Sequence, residues 1–271
     1  MGKLGLYSPA VRGVKSYYEV VDQAVEHGLP AVECLNVMEF KEPDEEAALR
    51  LKEYADKKGI VISCFSVFVQ KASENVGLLK RYARLAKILG APFFHHTIVG
   101  ECRFSKRVLP QKDVLFEEGI LAVREIYDYC RSLGIKAVYE EQGYIFNGVE
   151  DFGRFLKEVD REVGVVADFG NIYESKDGLP EFLEAFSHRV VHVHIKDVFL
   201  LEENADGAGM DSLSGKFFYE AVPGQGIVDI QGAVAALKKA GYQGYYSMEY
   251  SAPQEHPERI VKVLDWLKEI L

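Results

Sequence analysis

Carboxylates placed inside apolar runs are the first sign of chemistry in this sequence. Glu33 lies in AVECLN, Glu140 in KAVYEEQ, Asp168 in GVVADFGN and Glu249 in GYYSMEY. Apolar runs are normally buried, and a buried carboxylate needs a partner. Histidines stand in two further runs of this kind, His95 and His96 in PFFHHTIV and His192 and His194 in VVHVHIKDV, the latter continuing into Lys196 and Asp197. Glu140, Asp168, His194 and Glu249 fall in four consecutive runs. If the fold gathers them, three carboxylates beside one imidazole repel unless a divalent cation takes up their lone pairs. Oxygen donors mixed with imidazole suit Mn2+ or Mg2+, with Zn2+ or Co2+ as the alternatives. A single glutamate at a strand end is more often a salt-bridged structural residue, and a single strand histidine a satisfied core residue. Four such residues on four successive runs favour one divalent metal ion instead.

Such gathering requires the runs to be strands of one closed sheet. Eight runs rich in β-branched and aromatic residues start near Lys3, Ala31, Val61, Pro92, Lys136, Gly164, Val190 and Gly244. Amphipathic stretches separate them. One of these, PDEEAALRLKEYADKKG, begins acidic, ends basic and stops at Gly59, as the helix dipole and a glycine C-cap favour. Most starts lie 26–31 residues apart, one strand–helix unit each, with longer gaps of 44 and 54. Eight strands alternating with eight helices, with no Pro/Ser-rich linker, predict an α/β protein: a single (β/α)8 TIM barrel spanning residues 1–271 as one domain. An open doubly wound sheet is the runner-up, weakened by the lack of G-x-G-x-x-G after the first strand. The longest gap leaves a segment from about Phe199 to Ile227, containing ENADGAGMD and VPGQG, which a barrel places at its C-terminal, chemically active face. VPGQG is the one Gly-rich stretch suited to cradle a phosphate.

Strand alternation orients some of these residues. His192, His194 and Lys196 share a face, with His194 nearer the rim and therefore the better ligand. The same rule does not decide between Glu140 and Glu141. One of His95 and His96 faces inward, and we assign His96 to the substrate. Tyr7, Glu33 and Asn36 are candidates to complete a pocket there, helix capping or packing being the plainer alternative for each.

Composition narrows the partners. Lys plus Arg number 32 against 42 Asp plus Glu, a formal charge of −10. Phosphate affinity comes from cations, so such a surface argues against nucleic acid. Cys34, Cys64, Cys102 and Cys130 form no C-x-x-C and are expected to be reduced thiols. No apolar run approaches the length of a membrane span, and MGKLGLYSPAVRG lacks the apolar stretch of a secretory leader, so a cytoplasmic protein is expected.

VYEEQG, VVADFGNIY, VVHVHIKDV, VPGQGIVD and GYYSMEY, in this order and at strand ends, resemble the xylose isomerase-like TIM barrels, specifically the sugar (phosphate) isomerase and epimerase branch. The motifs cover roughly the C-terminal half, and the eightfold alternation extends the likeness along the chain. The resemblance implies that Glu140, Asp168, His194 and Glu249 bind one divalent metal, which selects Glu140 over Glu141. It implies a Lewis-acid metal on a sugar carbonyl and adjacent hydroxyl, an enediolate, and Glu140 and Glu249 as proton carriers on opposite faces of a ketose, ketose phosphate or related hydroxy-carbonyl compound.

The chain departs from the ketose epimerases in two places. Asn171 stands where many members have the histidine of D-x-x-H, and KDVFLL has no arginine after the seventh-strand histidine. The H-I-K-D and VPGQG pieces also resemble inosose dehydratases, in which Lys196 would be a substrate or acid–base group. Asn171, Lys196, His96 and Glu33 are therefore the substrate-binding candidates. An endonuclease IV-like nuclease is a weaker alternative, for lack of the further histidines its three zincs need. A non-catalytic sugar-binding barrel is the last, opposed by the persistence of all four metal-binding candidates. The expected partner is a small sugar or polyol, with no nucleic acid and no membrane, and a homo-oligomer remains open.

Overall fold

The computed structural model describes residues 2–7, 14–103, 106–204, 207–250 and 257–271. Its elements follow the alternation of the sequence. β1 (Lys3–Tyr7) leads to α1 (Tyr17–Glu26), β2 (Ala31–Leu35) to α2 (Glu45–Lys58), and β3 (Val61–Val67) to α3 (Val76–Leu89). β4 (Phe93–His96) leads to α4 (Lys112–Leu133), β5 (Lys136–Glu140) to α5 (Val149–Glu158), and β6 (Gly164–Asp168) to α6 (Leu179–Phe186). After β7 (Val190–Ile195) come three extra strands, β8 (Asp197–Leu201), β9 (Met210–Asp211) and β10 (Phe217–Ala221). α7 (Ile230–Lys239), β11 (Tyr245–Met248) and α8 (Pro257–Ile270) complete the chain. The parallel strands pair in the order β1-β11-β7-β6-β5-β4-β3-β2 and close on themselves, which makes the expected (β/α)8 barrel.

Local signals set the helix ends. Asp44 accepts the Ala47 amide to start α2, and Gly59 ends it in the left-handed region at φ 73°, where a side chain would be strained. α4 stops the same way at Gly134, also at φ 73°. These stops return the chain to the sheet within two residues, so the strands start where the patterning places them. Among the described residues no helix is long and apolar enough to cross a membrane. All four cysteines are free and buried.

Two apolar layers hold the barrel. The larger lies between strands and helices and includes Phe65, Phe94, Phe116, Phe155 and Val193. The smaller fills the barrel's lower interior: Cys64, Val138 and Val166, with Phe93 and Val191 against them. One alternation step above these positions along the strands stand Ser66, His95, Glu140 and Asp168, so the apolar plug is the floor of a polar chamber.

The long segment after β7 is not an open loop. β8, β10 and β9 form an antiparallel three-stranded sheet in that order. Ala205 and Asp206 of ENADGAGMD lie outside the described residues. The sheet is tied to the barrel mouth: the Tyr144 hydroxyl donates to the Asp211 carbonyl, and the Leu213 amide to the Glu174 carbonyl at 2.8 Å.

Candidate metal centre

Register brings the site together. Asp168 on β6 pairs with His194 on β7, and His194 in turn with Ser247 on β11. The His194 imidazole is the hub. Its Nδ1 stands 3.0 Å from Glu140 Oε2, 3.2 Å from Glu249 Oε2 and 3.7 Å from Asp168 Oδ2. Its Nε2 faces the opposite way, 3.0 Å from Glu33 Oε1. The Tyr7 ring stacks on it, with centroids 5.2 Å apart and planes 15° from parallel.

The carboxylates are held in turn. Asp168 Oδ1 accepts the Gly170 and Asn171 amides, both at 2.9 Å, which leaves Oδ2 for the chamber. Lys196 Nζ lies 3.1 Å from Asp168 Oδ2, 3.1 Å from Asn171 Oδ1 and 2.7 Å from Glu249 Oε1. Gln142 donates its amide to Glu140 Oε1. Asn171 and Lys196 therefore stand side by side at the rim.

Electrostatics follow from crowding several acids around one buried ring. Burial alone would push the His194 pKa down, but Glu33, Asp168, Glu140 and Glu249 outweigh it and hold it well above 6.5. Burial likewise pushes Glu140 and Asp168 up, and the basic groups around them win: His95 and His194 lower Glu140, and Lys196 and His194 lower Asp168. In the metal-free protein, the imidazolium and Lys196 offset the carboxylate charge. Glu141 lies elsewhere. Neither of its oxygens makes a hydrogen bond, and burial, with Asp168 nearby, pushes its carboxyl well above the ordinary range. Glu140, not Glu141, reaches His194.

Three expectations need correction. His95, not His96, faces the chamber: its Nδ1 lies 3.2 Å from Ser66 Oγ and its Nε2 3.9 Å from Glu140 Oε1. His96 points to the helix side of β4, where Nε2 meets the Tyr139 hydroxyl at 2.8 Å and burial lowers its pKa to about 3. Glu33 is engaged by protein groups rather than left open to a pocket. It is fully buried, with Ser66, His192 and His194 on its oxygens. VPGQG is no phosphate cradle either. The buried Asp197 carboxylate already takes the amides of Gly224, Gly226 and Val228 at 2.9, 2.8 and 3.1 Å. A Cβ on Gly226 would collide with that carboxylate, which accounts for the glycine. Gln142 and Ser66 were missing from the sequence-based site. Ser66 could have been found by alternation from Cys64, but nothing in EEQGY singles out Gln142.

The chemistry of the donor set suits a divalent cation. Atoms of Glu140, Asp168 and His194 lie within 4.8 Å of one another, all three residues are buried, and carboxylate oxygen with imidazole nitrogen is a common ligand combination. Fold and site together define a (β/α)8 barrel with a carboxylate–imidazole centre at the C-terminal ends of its strands. The chain belongs to the xylose isomerase-like TIM barrel family, whose model matches residues 21–270. It is 27% identical over 220 residues to an inosose dehydratase of Glaesserella parasuis serovar 5 (strain SH0165), covering 73% of this chain and 72% of that protein. Its fold is similar to that of a D-psicose 3-epimerase from Clostridium cellulolyticum H10 solved with D-tagatose, at a TM-score of 0.78 and 15% identity over 99% of both chains. A xylose isomerase-like TIM barrel protein from Mycobacterium smegmatis in complex with magnesium aligns at a TM-score of 0.73 and 16% identity, over 100% of this chain and 96% of that one.

Proposed function

We propose that the chain is a divalent-metal-dependent sugar isomerase or epimerase, moving a proton on a carbon next to the carbonyl of a ketose, ketose phosphate or related polyol ketone. The observation that carries this is one imidazole nitrogen, His194 Nδ1, facing Glu140, Asp168 and Glu249 together. These four residues would hold the ion, Mn2+ or Mg2+ by donor type, with Zn2+ or Co2+ also compatible. When bound, the ion supplies Lewis-acid stabilisation of the negative charge that develops on the substrate oxygens. Glu140 and Glu249 come from β5 and the end of β11, separated around the barrel by β6 and β7. They approach a molecule in the mouth from different sides, which suits one to take a proton and the other to return it. Lys196 and Asn171 are placed to hydrogen-bond a substrate hydroxyl, and His95 takes the place expected of His96.

A second reading, an inosose dehydratase-like lyase, has its own support. Lys196 lies on both Asp168 and Glu249 in a site with no arginine after His194, and the relative named inosose dehydratase aligns over most of the chain. Both readings share the first step, loss of a carbon-bound proton. One experiment separates them: metal-loaded protein is offered free ketoses, ketose phosphates and inososes in D2O. Deuterium at the carbon beside the carbonyl in a product of unchanged skeleton supports the isomerase or epimerase. A product lighter by one water supports the lyase. Neither outcome across the panel would leave a non-catalytic sugar-binding barrel.

A further inference from the structure

The His194 ring has two nitrogens, and only one can carry the lone pair that a cation needs. In an unbiased pocket the two neutral tautomers compete, and the group hydrogen-bonded to the other nitrogen decides between them. Here Nδ1 faces the three carboxylates, and Nε2 points at Glu33, 3.0 Å from Oε1 and 3.2 Å from Oε2. A carboxylate only accepts, so once an ion occupies the carboxylates that face Nδ1, Glu33 keeps the remaining ring proton on Nε2.

Glu33 is itself immobilised. The Ser66 hydroxyl donates to Oε1 at 2.7 Å, and His192 Nε2 lies 2.7 Å from Oε2. His192 Nε2 is also 3.1 Å from Ser247 Oγ, and Ser66 Oγ is 3.2 Å from His95 Nδ1. Contacts thus reach Glu33 from β3 and β7 directly and from β4 and β11 at one remove. The β2–β3 pairing shifts register between Val32 and Glu33, an irregularity of the sort that re-aims a side chain beside a functional site. Glu33 also pairs in register with Tyr7 on β1, whose ring stacks on His194. One register position therefore supplies the group that fixes the ring's plane and the group that fixes its proton. Glu33 has no exposed surface, and protein groups occupy both of its oxygens.

We propose that Glu33 is a positioning residue: it holds the Nε2 proton of His194 and so presents the Nδ1 lone pair to the ion shared with Glu140, Asp168 and Glu249. This rests on the metal-dependent reading of the site. Such outer partners of a ligating histidine typically change metal affinity ~10–100-fold when altered.

The test uses full-length protein with 15N-labelled histidine and Zn2+ as a diamagnetic probe. In wild type, the His194 signals should show a metal on Nδ1 and a proton on Nε2. Ligation through Nε2 would overturn the role of Glu33, and this measurement needs no variant. Glu33→Gln keeps the shape but offers an amide that can donate as well as accept. It should weaken Mn2+ and Zn2+ binding ~10–100-fold in chelator competition and mix the tautomers. In a His194→Ala background the same substitution should add little, because its effect travels through the ring. Equal weakening in both backgrounds would point to lost charge rather than positioning and would sink the proposal, as would unchanged affinity and tautomer in Glu33→Gln. Wild-type protein that binds no divalent ion would refute the metal reading itself, a result distinct from an ion bound through Nε2.

Discussion

Lys196 Nζ stands 2.7 Å from Glu249 Oε1, while the other oxygen of that carboxylate stands 3.2 Å from His194 Nδ1. The lysine also reaches Asp168, so it holds two of the four proposed ligands. A bound cation must share those carboxylates with it. In Lys196→Met the metal-free protein keeps a buried Asp168 without its ammonium partner, a change that typically costs about 3–5 kcal/mol. Lys196→Met should melt below wild type without metal and gain more melting temperature than wild type on addition of Mn2+. An equal gain in both would mean that Lys196 does not compete for the site.

The titration of His194 sets a direction for pH. Its pKa is raised by the surrounding carboxylates from 6.5 in the unfolded chain, so its protonated form stabilises the metal-free fold. That contribution is fully present below about 6.5 and is lost as pH rises through the folded value. The depressed carboxyls of Glu33 and Asp168 act oppositely: their contribution is present above the ordinary carboxylate range and is lost on acidification. Metal binding must displace the Nδ1 proton, so affinity should rise with pH. Calorimetry in two buffers of different ionisation enthalpy should detect proton release, about one per ion below the raised pKa. Binding with no proton release at pH 6 would contradict Nδ1 ligation.

Much of this arrangement was legible in the sequence because burial and alternation leave few choices. Eight strand starts followed from β-branched runs closed off by helix-stopping glycines, and Asp168 and His194 were placed at neighbouring strand ends by the length of one unit. FFHH was not decidable in the same way. His95 and His96 are both buried and both lie in one apolar run of the sequence, so polarity carries no orientation signal. Glu33 looked like a pocket residue because nothing local shows that its partners lie on β3 and β7. The role of VPGQG was hidden for the same reason: its amides serve Asp197, 27 residues before Gly224. The sheet of β8, β9 and β10 comes from short strands in a turn-rich stretch, where periodicity is too brief to read.

Ligand content gives a direct check. Protein purified with added Mn2+ should hold about one equivalent per chain by elemental analysis. Asp168→Ala combined with His194→Ala should abolish stoichiometric binding, and undiminished content in that variant would place the ion elsewhere.

The charge and the occupied amides of VPGQG predict a negative result with nucleic acid. A duplex containing an abasic site should remain intact with added Zn2+ at physiological salt. Incision that requires metal and disappears in Glu249→Gln would replace the sugar-enzyme reading with a nuclease.

The two glutamates carry the last prediction. Glu140 and Glu249 flank His194 Nδ1 at 3.0 and 3.2 Å, so each is proposed both as a ligand and as a proton carrier. Glu→Gln keeps the length and one acceptor oxygen but removes charge and basicity. Loss of a general base alone typically costs ~10²–10⁴-fold in turnover, and disturbed charge at the metal adds to it. Each variant should therefore lose at least ~10²-fold in turnover at saturating metal. If the bases serve opposite faces, the variants should also differ in kind. With a substrate labelled by deuterium at the reacting carbon, the variant that retains the abstracting glutamate should still wash label into solvent faster than it forms product. The variant that lacks that glutamate should slow both together. Equal loss of exchange and product formation in both variants would show that the carboxylates act only as ligands, and a proton carrier would then have to be sought among His95 and Lys196.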